Sequence, residues 1–127
     1  MAADNEETFT MDITAESGEK YMGTVKVLKR LSHSKRLQRD TMRRELLGPN
    51  PLGATDEVLR SSMILATCAV HILKGPKWYE DSNRGLDLLD EEPLVFIFNK
   101  INELVEKDRK ALEEQATQAK KDLQQES

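Results

Sequence analysis

Residues 55–74 read TDEVLRSSMILATCAVHILK, the most hydrophobic stretch of an otherwise polar chain. From Met63 to Leu73 only Thr67 and His71 interrupt the apolar character. The stretch reads as a helix. Thr55 stands where its hydroxyl can accept from a free N–H of the first turn, and Asp56 and Glu57 set negative charge at the positive end of the helix dipole. Gly75 and Pro76 supply the stop. A helix that is apolar nearly all round has to be covered on several sides, so the remaining elements are expected to pack around this one. The apolar run is shorter than the ~18 residues that a membrane span needs.

Upstream, the period changes. In TFTMDITA (8–15), Phe9, Met11 and Ile13 point one way, with Thr10, Asp12 and Thr14 the other. In YMGTVKVL (21–28), Tyr21, Val25 and Val27 oppose Thr24 and Lys26. Alternation of period two marks half-buried strands, and Glu16-Ser17-Gly18-Glu19 supplies the turn of a β-hairpin. Two strands alone are marginal in water, so the apolar face of the hairpin needs helices to lie on or another chain to pair with. A second helix is expected from Ser32 to about Leu47, stopped by Gly48-Pro49. Its apolar positions are sparse and its basic ones dense: Lys35, Arg36, Arg39, Arg43 and Arg44, with Asp40 spaced to bridge Arg36, Arg43 or Arg44. Arg36, Arg39 and Arg43 read either as a solvated face or as a docking surface for an acidic partner.

Downstream, GPKWYEDSNRGLDLLDEEP (75–93) is the least regular part of the chain and holds its one Trp beside a Tyr. Trp78 and Tyr79 either cap the core or anchor a partner. Pro93 fits the first position of a last helix. Leu94, Ile97, Phe98, Ile101, Leu104, Val105 and Leu112 follow at spacings of three and four, a continuous apolar stripe. After Leu112 the residues still favour helix but the stripe is lost, and a frayed or projecting tail is expected unless a partner covers Ala116, Ala119 and Leu123.

The expected class is therefore α+β, mainly α, with an N-terminal β-hairpin followed by three helices around a central apolar helix. Residues 1–7 read as a flexible terminus and 8–112 as one small domain (hairpin 8–28, helices about 32–47, 55–74 and 93–112). Residues 113–127 read as a polar helical or frayed tail. The 127 residues suit one domain, and the net charge of −4 argues against a general nucleic-acid binder. Charge is unevenly spread: acidic over 1–20, basic from Lys26 to Arg44, and acidic again after Trp78. Such segments attract one another or a partner. The single cysteine, Cys68, allows no intramolecular disulfide and reads as a small buried hydrophobe in a reducing compartment.

Chemistry-bearing signatures are sparse. His33 reads as exposed and His71 as a hydrogen-bonded core histidine. No H-E-x-x-H, phosphate-binding loop, nucleophile elbow or CxxC pattern occurs. Asp81-x-Asn83-x-Gly85-x-Asp87 with Glu92 resembles a calcium loop in its alternate oxygens, but Leu86 stands where such a loop needs glycine, and turn-closing acids explain the same residues. Neither a catalytic centre nor a cofactor or metal site is expected.

The layout as a whole resembles the tail assembly chaperones of tailed bacteriophages, small proteins encoded near the tail genes. The likeness runs over roughly residues 8 to 110: the hairpin TFTMDITAESGEKYMGTVKV, the basic RLQRDTMRRELLGPNP, the small-residue helix SSMILATCAVHI, then GPKWYEDSNRGLDLLD and PLVFIFNKINEL. Its most distinctive element is the P-x-W-Y…S-N-x-G-L-D-L-x-D run. The resemblance implies a non-enzymatic protein of the host cytoplasm that keeps the tape-measure protein soluble while tail tube subunits assemble, binding tail components or itself. On that expectation Trp78, Tyr79, Ile97, Ile101 and Leu104 offer an apolar client surface, and Arg36, Arg39 and Arg43 a basic one. A structural head or tail accessory protein of the virion is the alternative. A nucleic-acid-binding regulator is disfavoured, because no aromatic residue interleaves with the basic ones.

Overall fold

The computed structural model describes residues 5–126, leaving the side chains of Pro51, Gln125 and Glu126 aside. Strands β1 (Glu6–Thr14) and β2 (Lys20–Leu28) form an antiparallel hairpin, followed by helices α1 (His33–Leu47) and α2 (Asp56–His71). A short strand β3 (Ile72–Lys74), a short helix α3 (Lys77–Asp81) and a long helix α4 (Glu92–Glu126) complete the chain. The fold is α+β and mainly α. No described helix is long and apolar enough to cross a membrane.

The hairpin follows its alternation. Phe9 faces Val25, Met11 faces Gly23 and Ile13 faces Tyr21. Phe9, Met11, Tyr21, Val25 and Val27 are buried, and Thr10, Asp12 and Thr24 are exposed. The turn closes with Ala15 N–H on Glu19 O, and Gly18 takes φ of 91°, where a side chain would be strained. Residues 1–7 do not form a single loose terminus. Met1–Asp4 lie outside the described residues, whereas Glu6 and Glu7 belong to β1. Asn5 clamps the far end of β2: Arg30 N–H donates to its Oδ1 at 2.7 Å, and its Nδ2 donates to Arg30 O at 3.0 Å.

The caps of α1 and α2 are those expected. The Ser32 hydroxyl accepts from Lys35 N–H and the Thr55 hydroxyl from Val58 N–H, each at 3.2 Å. Helix α1 has no buried residue, in keeping with its sparse apolar positions, while α2 buries Ile64, Ala66, Cys68 and Val70 and packs against both α1 and α4.

Two departures follow from tertiary competition. The central helix does not run to Lys74 but stops at His71, and Ile72–Lys74 become a third strand on the open edge of β2. Val27 pairs with Ile72 and Lys26 with Lys74, across a bulge. Backbone groups that a last helical turn would leave unpaired are used by the sheet instead. The 75–93 segment is also not wholly irregular, since Trp78 and Tyr79 lie on the one-turn α3. Gly23 makes this possible: a Cβ there would lie 2.7 Å from Pro76 Cβ, so only glycine lets the start of α3 lie on the strand. Asp40 also pairs differently from its helical spacing, with the adjacent Arg39 at 3.3 Å.

Helix α4 spans 35 residues, about 52 Å at ~1.5 Å per residue. Leu94, Ile97 and Ile101 complete the core with the hairpin face, Cys68 and Tyr79, and Leu104 and Val105 pack at its margin. The start of α4 is tied to the hairpin turn. Glu16 N–H donates to Glu92 Oε2 at 2.6 Å. The Ser17 and Tyr21 hydroxyls both donate to Asp90 Oδ2, at 2.9 and 2.6 Å.

Candidate functional site: a basic cleft and a bare helix

The residues expected to bind a partner separate into two groups. Tyr79, Ile97 and Ile101 are 0%, 0% and 1% exposed, so they hold the core together and offer no surface. The stripe spacing that singled out Ile97 and Ile101 is the same whether the opposing surface belongs to the chain itself or to a partner. Here the hairpin and α2 are that surface. Trp78 is half-buried, with its ring edge-on to Tyr21 at 4.9 Å and its Nε1 donating to Met22 O at 3.0 Å, so it clasps α3 to β2. Leu104 is half-buried at the edge of the core. Arg43 is also half-buried, and its Nε has no protein partner.

Arg36 and Arg39 have a different setting. They line a cleft of about 340 Å³ where the end of β2, the start of α1, the last turn of α2 and the middle of α4 meet. Lys29 and Arg30 enter it from the link after β2, and Arg109 from α4. These five cations face one carboxylate, Asp108, which pairs with Arg30 at 3.0 Å. Arg109 is held by Glu106 at 2.7 Å and by Glu113 at 2.9 Å. Among the described residues, Lys29 and Arg36 carry no carboxylate partner. The apolar part of the lining is Leu31, Val105 and Leu112. The sequence marked Lys26–Arg44 as basic, so Lys29 and Arg30 were within reach of that signal. Arg109 lies some seventy residues further on, and only the fold brings it here.

His71 forms the inner wall. Its Nδ1 lies 2.6 Å from Leu28 O, and because a carbonyl oxygen only accepts, Nδ1 carries the hydrogen. Burial pushes its pKa below the ordinary value; the bond to Leu28 opposes that shift and Arg39 adds to it. A neutral ring that donates to the backbone is the core histidine expected from the sequence.

Cys68 is fully buried, and desolvation drives its thiol up to about 12, against the weaker pull of Arg84. A thiol held in that form is neither a nucleophile nor a ligand at neutral pH. Among the described residues, no group of three or more His, Cys, Asp or Glu is placed to hold a metal ion. Of the residues that resemble a calcium loop, Glu92 already accepts from the hairpin turn.

The other exposed feature is the outer half of α4. Every residue from Arg109 to Gln124 is exposed, over about 24 Å of helix. Leu112 and Leu123 remain 40% and 67% exposed, and with Ala116 and Ala119 they recur at spacings of four, three and four. Local pairs support the helix, including Gln118 Nε2 donating to Asp122 at 3.0 Å. Comparison with protein-family models, curated proteins and solved structures found no match to this chain.

Proposed function

We propose that the protein is a non-enzymatic assembly chaperone of the tailed-bacteriophage kind, working in the host cytoplasm. It binds the tape-measure protein, keeps it soluble, and helps recruit tail tube subunits. The observation that carries this reading is the bare half of α4. A helix with Leu112, Ala116, Ala119 and Leu123 at coiled-coil-like spacing, exposed from Ala116 to Leu123 with no covering element among the described residues, suits lateral contact with a long helical client. The apolar residues of that face are few, as a reversible holder requires. The client surface therefore moves outward from the Ile97–Ile101 part of the stripe, which is core, to its exposed continuation.

The test is co-expression of the full chain with the tape-measure protein of the same phage. The wild-type chain should raise the soluble fraction of the client. Ala116→Asp with Leu123→Asp should abolish that effect and leave thermal unfolding unchanged, since both residues are exposed and lie outside the cleft. A double variant that protects as well as wild type places client binding elsewhere. Mass spectrometry of purified particles separates the alternative: a chaperone is absent from the finished virion, and a structural accessory protein is present in many copies.

A further inference from the structure

The basic cleft has a chemical counterpart on the same chain, at the opposite end of the body. We propose that the Leu86–Glu92 loop of one copy docks into the basic cleft of the next, so that copies associate head to tail. This contact shares Leu112 with the client-binding face of α4 and otherwise lies apart from Ala116, Ala119 and Leu123.

Charge and polarity match on the two sides. Of the five cations of the cleft, Arg30, Arg39 and Arg109 are already paired with Asp108, Asp40, Glu106 and Glu113, which leaves Lys29 and Arg36 as the charges open to a partner, around an apolar lining of Leu31, Val105 and Leu112. Residues 81–92 carry five carboxylates against the single Arg84, and they interleave with leucines. Leu89 is 99% exposed and Leu86 41%, although both sit in a loop that is firmly anchored. Asp90 accepts from Ser17 and Tyr21, and Glu92 from Glu16 N–H. Little ordering entropy therefore remains to be lost on docking. The anchoring leaves Leu86, Asp87 and Leu89 outside, with Asp87 making no side-chain bond and Glu91 only a 3.7 Å contact to Arg60. On the other side Lys29 and Arg36 are the cations without carboxylate partners among the described residues. Asp87 and Glu91 would meet those two charges, and Leu89 would meet the apolar lining. Nucleic acid fits the cleft less well. No Phe, Tyr or Trp ring lines it, and Asp108, Glu106 and Glu113 stand against a continuous phosphate backbone.

Geometry makes the contact intermolecular. Leu94, beside the loop, and Val105 to Leu112, beside the cleft, are separated along α4 by about 17–27 Å. A chain cannot fill its own cleft. Two different patches that meet in this way form a heterologous interface, which grows into a ring or a filament.

Sedimentation of the wild-type chain over a wide concentration series at low salt should give a mass that rises beyond the dimer and falls again as salt is added. Arg36→Glu and Asp87→Arg, both on exposed side chains, should each weaken association at least about tenfold and leave unfolding unchanged. The decisive sample is an equimolar mixture of the two. The intact loop of the Arg36→Glu chain should enter the intact cleft of the Asp87→Arg chain, so that association returns. Wild-type protein that stays monomeric throughout, variants that associate like wild type, or a mixture that stays monomeric would each overturn the proposal. If an oligonucleotide added in place of a second copy binds through Arg36 while the wild type stays monomeric, the cleft belongs to nucleic acid instead.

Discussion

Replacing Ile101 with alanine tests whether the stripe of α4 is core or contact surface. Ile101 is 1% exposed and belongs to the cluster that joins the hairpin face to Cys68 and Leu94. Ile101→Ala removes three carbons, a transfer loss of about 2.4 kcal/mol at ~0.8 kcal/mol each. The cavity adds to this, and buried Ile→Ala changes cost about 2–5 kcal/mol in all. A domain of this size has only about 5–15 kcal/mol to lose. With a urea slope of about 1.5 kcal/mol per molar, a loss of 3 kcal/mol lowers the midpoint by roughly 2 M. Trp78, the only tryptophan, sits edge-on to Tyr21 and reports unfolding by fluorescence. Leu112→Ala, at a residue 40% exposed, is the control on the same stripe, and its cost should stay under about 1 kcal/mol. If the two variants shift the midpoint equally, or if Ile101→Ala moves it by less than about 0.5 M at constant slope, the division of α4 into core and free halves is wrong.

Three further outcomes follow from individual side chains. Cys68, with its thiol driven up to about 12, should react with iodoacetamide at neutral pH on the order of 10³ times more slowly in the native chain than in urea; equal rates by mass spectrometry would refute its burial. His71 is held below its ordinary 6.5, so the unfolded chain takes up a proton first. Stability should therefore fall as pH drops below about 6.5 and level off beneath the folded-state value, and urea midpoints for His71→Gln should lose that slope. Tyr21 is raised to about 12, first by its hydrogen bond to Asp90, then by burial and by the charge of Asp90. The unfolded chain loses this proton near 10, so stability should decline as pH rises from about 10 to about 12; Tyr21→Phe should remove that decline and cost about 1.5–3 kcal/mol at neutral pH.

Elements with a local cause were legible in the sequence. Alternation placed β1 and β2, and Ser32 and Thr55 marked two helix starts, because a strand face or a cap depends on residues within a few positions. What was not legible depends on distant neighbours. Nothing in HILKGP says that the last turn will pair with β2 instead of coiling, since the reason lies in the open edge at Lys26 and Val27. The burial of Tyr79 likewise depends on Leu94 and Ile97 arriving from another helix. The cleft was half legible. Arg36 and Arg39 stand in a basic run, but Arg109 and the wall of His71 come from elsewhere in the chain.

The hairpin depends on residues made late in synthesis. Its inner face is closed by Leu94, Ile97 and Ile101, and its turn is pinned by Asp90 and Glu92. Seventy-three residues separate Leu28 from Ile101, which is roughly 4–15 s of translation at about 5–20 residues per second. Until Ile101 emerges, α2 and β3 can cover only part of that face, and the nascent chain is exposed to aggregation and to ribosome-associated factors. A pause or truncation before Ile101 should release chains that are degraded rather than shortened proteins that work.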